Sequence, residues 1–431
     1  MNKDKIPQGY KKSPLGIIPE NWDVKRLGEV FNTLKSFSFS RNQMTSQKQE
    51  LRYIHYGDIH TGAEQDSVDL SLGTLPYILN DLIPVEKIKD ENFPLLKNGD
   101  IILADASEDY DGIGKAWEIL NTANNKIIAG LHTIVLRERT NYTSIGYGRY
   151  LFRNTQTSKS LKRIAQGTKV YSISYKHLSK LHLLFPPLSE QQKIAEILSC
   201  WDEAIEKQTQ LIEKLEIRKK GLMQKLLTGK AENWEEVRLD DLFERVTRKN
   251  TERNPNVVTI SAQRGFVKQT DFFNKSIASE ITDNYFLVKR GEFCYNKSYS
   301  NGYPWGATKR LKDFEKAVVT TLYICFTIKD KYKISGDFFE YFFDANKLDS
   351  GLTQIAHEGG RAHGLLNVTP SDFFSLKMNI PNLSEQNRIA TILQIADKEI
   401  NLLKTKVEKL REQKKGLMQQ LLTGKLRVEI K

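Results

Sequence analysis

Two long stretches of this sequence are near copies of each other. Pro187-Leu188-Ser189-Glu190-Gln191-Gln192-Lys193-Ile194-Ala195 returns as Asn382-Leu383-Ser384-Glu385-Gln386-Asn387-Arg388-Ile389-Ala390. Lys219-Lys220-Gly221-Leu222-Met223-Gln224 returns as Lys414-Lys415-Gly416-Leu417-Met418-Gln419, and Leu226-Leu227-Thr228-Gly229-Lys230 as Leu421-Leu422-Thr423-Gly424-Lys425. The offset is constant, from Pro187 to Asn382 and from Lys230 to Lys425, so the blocks form one duplicated segment. Positions 194, 198, 201, 205, 208, 212, 215, 219, 222 and 226 are spaced alternately four and three and are mostly apolar, as are their equivalents from 389 to 421. A heptad seam this long and narrow predicts two helices of about 38 residues, about 57 Å each, that pair antiparallel as a coiled coil. Ser189 with Gln192 reads as a capping-box start, and Gly229 and Gly424 as C-terminal stops. Lys219 and Lys414 interrupt both seams at the same place. Snorkelling, a contact with another subunit and an idle exposed lysine all remain open.

The duplication extends outward from the helices. Trp22-Asp23-Val24-Lys25-Arg26-Leu27 resembles Trp234-Glu235-Glu236-Val237-Arg238-Leu239, and Asn98-Gly99-Asp100-Ile101-Ile102 resembles Arg290-Gly291-Glu292-Phe293-Cys294. Between these markers the offset drifts, so two related frames carry interiors that have diverged. Strand-like runs cover 51–56, 99–103, 129–136, 291–295 and 318–328, with short helices around 147–166 and 337–345. The fold class expected is α+β. A first globule (1–186, opening with a distinct segment 1–21) leads into a central helix (187–230). A second globule (231–380) leads into a distal helix (381–431).

Composition narrows the partners. Of 431 residues, 65 are Lys or Arg and 53 Asp or Glu, a net charge of +12, which suits a polyanion such as nucleic acid. Cys200, Cys294 and Cys325 lie far apart without a CxxC pair, which argues against a disulfide framework or a structural zinc site. The stretch from Val318 to Ile328 is too short to span a bilayer, and MNKDKIPQGYKK has no apolar core of a signal peptide. A cytoplasmic protein is expected.

Catalytic motifs are not apparent. Phe185-Pro186-Pro187-Leu188 lacks the polar first residue and aromatic last residue of an amino-methyltransferase motif. Leu227-Thr228-Gly229-Lys230 and Gly112-Ile113-Gly114-Lys115 fall short of a phosphate loop. The seven histidines show no metal-ligand spacing, and His55 and His60 read as surface residues. Asp105, Glu108, Asp109 and Asp111 read as an ordered turn, not as a metal site.

The loops offer nucleic-acid chemistry instead. From Asn296 to Arg310, amides, hydroxyls, cations and aromatics alternate around glycines. Amides and guanidinium groups read base edges, lysines neutralise phosphates, and aromatics pack on sugar and base. The DNA-binding candidates there are Asn296, Lys297, Tyr299, Asn301, Tyr303, Trp305, Lys309 and Arg310, joined by Arg361 and His363. A turn with buried aromatics is the competing reading. In the first half the candidates are Lys115, Arg163, Lys169 and Tyr171, with the acidic 99–115 stretch as counterpart of the Lys297 loop. Side chains off the seam that are identical in both helix copies point to one external contact made twice: Glu190, Lys220, Met223 and Gln224, recurring as Glu385, Lys415, Met418 and Gln419.

Two globules alternating with two helices, the repeated Leu-Ser-Glu-Gln-x-[Arg/Lys]-Ile-Ala and the Lys-Lys-Gly-Leu-Met-Gln-x-Leu-Leu-Thr-Gly-Lys ends resemble the specificity subunit of type I restriction-modification enzymes. So does the opening, Ser13-Pro14-Leu15-Gly16-Ile17-Ile18-Pro19-Glu20-Asn21-Trp22. The resemblance covers the whole chain. It implies two target-recognition domains, each reading half of a split double-stranded DNA site. It implies that the helices act as spacer and dock two modification (methyltransferase) subunits and, through them, restriction subunits. It also implies no catalysis and no cofactor in this chain, with S-adenosylmethionine, ATP and Mg belonging to the partner subunits. The competing class is a coiled-coil adaptor without DNA specificity, which gives no reason for two diverged globules.

Overall fold

The duplicated segments fold as helices of 39 and 40 residues, a central helix Leu188–Leu226 and a distal helix Leu383–Leu422. The computed structural model describes residues 6–61, 67–69, 75–110, 112–167, 169–228, 234–273, 282–356 and 366–430. Ser189 lies inside the first turn, so the expected capping box does not start the helix. The work is done by the repeated glutamine one turn in. Gln191 donates to the Pro186 carbonyl (2.9 Å) and accepts from the Ser144 N–H (2.9 Å). Gln386 donates to the Pro381 carbonyl (2.8 Å) and accepts from the Ser335 N–H (2.9 Å). Both glutamines are buried, and these bonds satisfy amide groups that burial would otherwise strand. Gly424 closes the distal helix with φ +70°, the left-handed cap expected of it; Gly229 lies outside the described residues.

The chain forms two compact units, Met1–Gln208 with Lys406–Lys431, and Thr209–Thr405. Each long helix therefore contributes residues to both units. In the first unit Ile194, Ala195 and Leu198 near the start of the central helix share a core with Met418, Leu421 and Leu422 near the end of the distal helix. In the second, Leu227 beyond the end of the central helix packs with Ile389, Ala390 and Leu393 near the start of the distal one. Start meets end in both units, which is antiparallel pairing.

The two units are built on one frame. In the first, strand Asp23–Arg26 pairs with His182–Phe185 just before the central helix; in the second, Trp234–Arg238 pairs with Lys377–Pro381 just before the distal helix. Strands Phe31–Leu34, Thr133–Glu138, Ile101–Ala104 and Ala116–Asn121 lie side by side in that order, with Ser67–Asp69 beyond. Phe243–Val246, Ile324–Ile328, Phe293–Asn296 and Ala307–Arg310 repeat the order in the second unit. Gly99 and Gly291 take φ +86° and +90° in the turns before the third of these strands. The acids that follow repeat as well: Asp100 binds Arg137, and Glu292 binds Arg248. The second core is rich in phenylalanine, with Phe243 edge-on to Phe339 at 4.9 Å and to Phe326 at 5.2 Å, contacts worth about 0.5–1.5 kcal/mol each beyond their burial.

Two expected strands are each two strands. The 318–328 run turns at 320–323; Lys316–Val319 pairs with Phe286–Lys289, while Ile324–Ile328 joins the main sheet. The 129–136 run breaks at His132, whose φ is +59°, so that Lys126–Ala129 and Thr133–Glu138 enter different sheets. Cys294 and Cys325, distant in sequence, oppose each other across the second unit's sheet as buried free thiols with sulfurs 3.2 Å apart.

Candidate nucleic-acid interface

In each unit the third and fourth strands of the shared sheet are joined by a loop, 105–115 in the first and 297–306 in the second. Each loop meets the segment that runs toward the following long helix. In the first unit Ala106 pairs with Ser172 and Ser107 with Tyr171. In the second the Leu366 N–H donates to the Lys297 carbonyl (3.0 Å). The correspondence expected between these loops is therefore present in the topology.

On the first unit, Tyr171 is half-buried and stands edge-on to Tyr110, with centroids 5.3 Å apart. The Tyr110 hydroxyl donates to the Lys162 carbonyl (3.2 Å), and the Lys162 ammonium lies 5.4 Å from the Tyr110 ring centre. Arg163 and Lys169 are exposed on the same segment. Lys115 stands half-buried at the root of the loop, next to the fourth strand. The acidic stretch is an ordered turn, as expected. Asp109 accepts the Gly112 N–H and Ser107 accepts the Asp109 N–H (3.3 Å); Asp111 lies outside the described residues. His55 and His60, which the sequence reads as surface residues, gather with Tyr56 and His132 against this loop.

On the second unit the loop is held tightly at its base. Asn296 accepts the Ser298 N–H (3.0 Å), and Ser300 and Tyr303 exchange backbone hydrogen bonds. Gly306 takes φ +82° with the Asn296 carbonyl only 2.4 Å from where a Cβ would stand, so the turn admits no side chain there. Tyr299 and Asn301 are exposed, Tyr303 is half-buried, and Trp305 packs partly into the core with its carbonyl accepting from Tyr295. Lys297 is half-buried, its ammonium 3.4 Å from the Val368 carbonyl, and burial lowers its pKa.

Lys309 and Arg310 are committed inside the protein. The Lys309 side chain is 11% exposed; it binds Asp344 and the Tyr303 hydroxyl (3.2 Å) and lies 4.8 Å from the Tyr303 ring centre. Arg310 binds Asp337 beneath the sheet edge and lies 5.7 Å from the Phe293 ring centre. Burial pushes the Asp337 carboxyl up, but hydrogen bonds from Gln394 and Arg310 outweigh it and hold the group below its ordinary range. Both cations clamp the helix Gly336–Asp344 to the sheet and are not presented to a ligand. Arg361 and His363 lie outside the described residues. A cation that the sequence reading passed over stands nearby. Lys347 follows Asn346, whose left-handed φ of +56° lets its side chain donate to the Gly302 carbonyl (2.9 Å). Burial lowers the Lys347 pKa, and no acid among the described residues pairs with it.

The helix faces divide in the same way. Glu190 is 1% exposed, accepts from the Trp22 indole (2.9 Å) and binds Arg427 (2.7 Å). It ties the C-terminal segment to the N-terminal one and is not a docking residue. Met418 is buried in the first core, and Met223 packs partly against the second. Gln419 donates to the Arg153 carbonyl (2.8 Å) and accepts from the Thr155 N–H (2.9 Å). Glu385 is half-buried and binds Arg388 on its own helix. Lys220, Gln224 and Lys415 remain on the surface. The identity of Met418 with Met223 thus has an internal cause, whereas Gln419 is held inside the first unit and its counterpart Gln224 is exposed.

The seam lysines find acids across the pair. Lys219 binds Asp397 in the second unit and Lys414 binds Asp202 in the first. Each acid also accepts a tyrosine hydroxyl from the globule, Tyr341 on Asp397 (2.6 Å) and Tyr150 on Asp202 (3.0 Å).

The chain belongs to the family described as the type I restriction modification DNA specificity domain, which matches residues 19–217 and again 231–412. The two matches fall on the two halves of the duplication. The putative type I restriction enzyme MjaX specificity subunit of Methanocaldococcus jannaschii is 28% identical over 98% of this chain and 97% of its own length. The MjaVIII specificity subunit of the same organism is 24% identical over 96% of this chain and 94% of its own length. A solved chain, described under the structural basis of complex assembly and conformational transition of the type I R-M system, shares the fold. Its TM-score is 0.57 at 13% identity, covering 95% of this chain and 99% of that one. Among the described residues no helix is long and apolar enough to cross a membrane, and no group of side chains has metal-binding geometry.

Proposed function

We propose that this chain is the DNA-reading subunit of a type I restriction-modification complex and performs no covalent chemistry itself. One observation carries the reading: a single sheet order, used twice, presents two loops of opposite character at the same topological position. The first loop is acidic and the second is built of amides, aromatics and lysine. A duplicated frame with diverged tips suits two half-sites of different sequence. Cations in the loops position the backbone and polar side chains read base edges. The paired helices act as the spacer between half-sites and take two methyltransferase subunits on their outer faces, with restriction subunits joining through these. S-adenosylmethionine, ATP and Mg enter with those partners, in the cytoplasm.

The test is co-expression with a type I methyltransferase subunit from the same genome, followed by mapping of methylated adenines. A bipartite motif with a fixed spacer is expected. Methylation without sequence restriction, or a continuous motif indifferent to substitutions in both loops, would return the chain to the adaptor class.

A further inference from the structure

We propose that His55, His60 and His132, gathered around Tyr56 in the first unit, read base edges of the first half-site through proton positions that the fold fixes. This rests on the DNA-specificity reading above and names the side chains that serve it. Four separated stretches of sequence converge here. Tyr56 and His60 lie on the helix Tyr56–Thr61, with ring centroids 6.1 Å apart. His55, just before that helix, lies 4.4 Å from Tyr56, and His132 stands edge-on to Tyr56 at 5.6 Å. His60 Nε2 lies 2.8 Å from the Ala106 carbonyl, and Ala106 pairs with Ser172, so the cluster continues into the face that carries Tyr171, Lys169 and Arg163.

Each imidazole has one nitrogen assigned by a neighbour. His55 Nδ1 accepts the Gly57 N–H (3.1 Å), so its proton is on Nε2, a donor. Burial lowers the His55 pKa, against the opposing effect of Asp58 and helped by Arg41 and His132, which favours this neutral form. His60 Nε2 faces a carbonyl and must donate to it; in the neutral ring Nδ1 is then an acceptor. His132 Nδ1 faces the Asp105 carboxylate at 3.2 Å and donates to it, leaving Nε2 as an acceptor in the neutral ring. Ring nitrogens held at set positions by these partners form a pattern of the kind that distinguishes base pairs in the major groove.

Two features separate this cluster from ordinary packing. His132 holds a left-handed φ of +59°, a strained conformation for a residue with a side chain, while about half of that side chain is exposed. Its partner Asp105 is desolvated enough that burial raises its pKa against the pull of His132. A core contact requires neither. Arg41 is exposed beside the cluster, its Nη2 3.1 Å from where a Cβ on Gly57 would stand, and is placed to neutralise a phosphate next to the bases being read.

The test uses the full complex with its methyltransferase subunit. The unsubstituted complex first establishes the bipartite motif; its absence would overturn the function proposed above. His132→Asn keeps a residue that tolerates the left-handed backbone, and His60→Gln keeps a polar side chain; both change the donor and acceptor pattern. Discrimination at one or two base pairs of the first half-site should fall roughly fivefold or more, the scale of a lost base contact. The second half-site and the melting temperature should stay as they were. Unchanged preference at the first half-site in a stably folded variant, or relaxation at the second half-site, would overturn the proposal and leave the cluster a packing feature.

Discussion

Lys219 of the central helix and Asp397 of the distal helix form an ion pair across the coiled-coil seam, and Tyr341 from the globule donates to the same carboxylate. Lys414, Asp202 and Tyr150 repeat the arrangement in the first unit. The triad explains why both seams carry a lysine at an apolar position. It also fixes register. A slip of one heptad would set Lys219 opposite Ala390 or Lys404, neither of which is an acid. A single polar position in a seam specifies alignment in this way at some cost in stability.

Lys219→Met should destabilise the fold by about 1–3 kcal/mol, because it leaves Asp397 half-buried with only a tyrosine. The side chains are 23% and 34% exposed, which keeps the cost below that of a fully buried pair. Lys219→Met with Asp397→Leu should cost less than the two single changes added, with a coupling of about 1 kcal/mol. Urea unfolding of the four proteins in the cycle measures it. Strict additivity would mean that the pair does not act as a unit.

The lysines of the second unit divide by whether an acid already neutralises them. Lys297 and Lys347 have no acidic partner among the described residues, whereas Lys309 and Arg310 are paired. Lys297→Gln and Lys347→Gln should each reduce the salt dependence of DNA binding by about one unit of slope, with stability unchanged. Lys309→Gln and Arg310→Gln should cost about 1–3 kcal/mol of stability by stranding Asp344 and Asp337. Equal salt slopes for all four variants would refute this division.

The duplication, the helix lengths and their antiparallel pairing were legible in the sequence because a heptad is a local pattern and two copies confirm each other. The long-range roles were not. Glu190 recurs as Glu385 in sequence, yet Trp22 and Arg427 bury the first while the second binds Arg388 on its own helix. Lys309 and Arg310 look like loop cations until the acids of the helix Gly336–Asp344 fold against them. The histidine cluster had no signal in spacing, since His55, His60 and His132 meet only after separate strands and turns place them. Gly130, two residues before His132, gave no hint that the histidine itself takes the left-handed turn.

Glu118 predicts a pH dependence. It is 1% exposed on the strand Ala116–Asn121, and burial pushes its pKa up to about 7, although the N–H groups of Gly146 (2.7 Å) and Arg149 (3.0 Å) both donate to it. The unfolded group titrates near ~4.3. The native state therefore holds its proton more tightly, and stability falls as pH rises between about 4.5 and 7, then levels off. The full span is at most about 4 kcal/mol. Urea unfolding from pH 5 to 8 should show this decline in the parent protein and a flatter profile in Glu118→Gln. Parallel profiles would assign the dependence to other groups.

Gly221 and Gly416 occupy equivalent positions in the last two turns of their helices, and nothing lies within 4 Å of where a Cβ would stand on either. A glycine inside a helix costs about 1 kcal/mol relative to alanine. No contact within either unit requires one here, yet both copies keep it, preceded by the exposed lysines Lys220 and Lys415. In the assembly proposed above, a partner surface that approached the helix backbone closely, with acids for those lysines, would account for the pair. Gly221→Ala and Gly416→Ala should each raise stability by about 0.5–1 kcal/mol, since the helix gains propensity and meets no clash. A bulky replacement should act on assembly instead: Gly221→Leu should cost the complex one methyltransferase copy and Gly416→Leu the other. Mass measurement of the reconstituted complex should then give one partner copy for each single variant and none for the double. Two copies retained in the double variant would show that these glycines have no docking role.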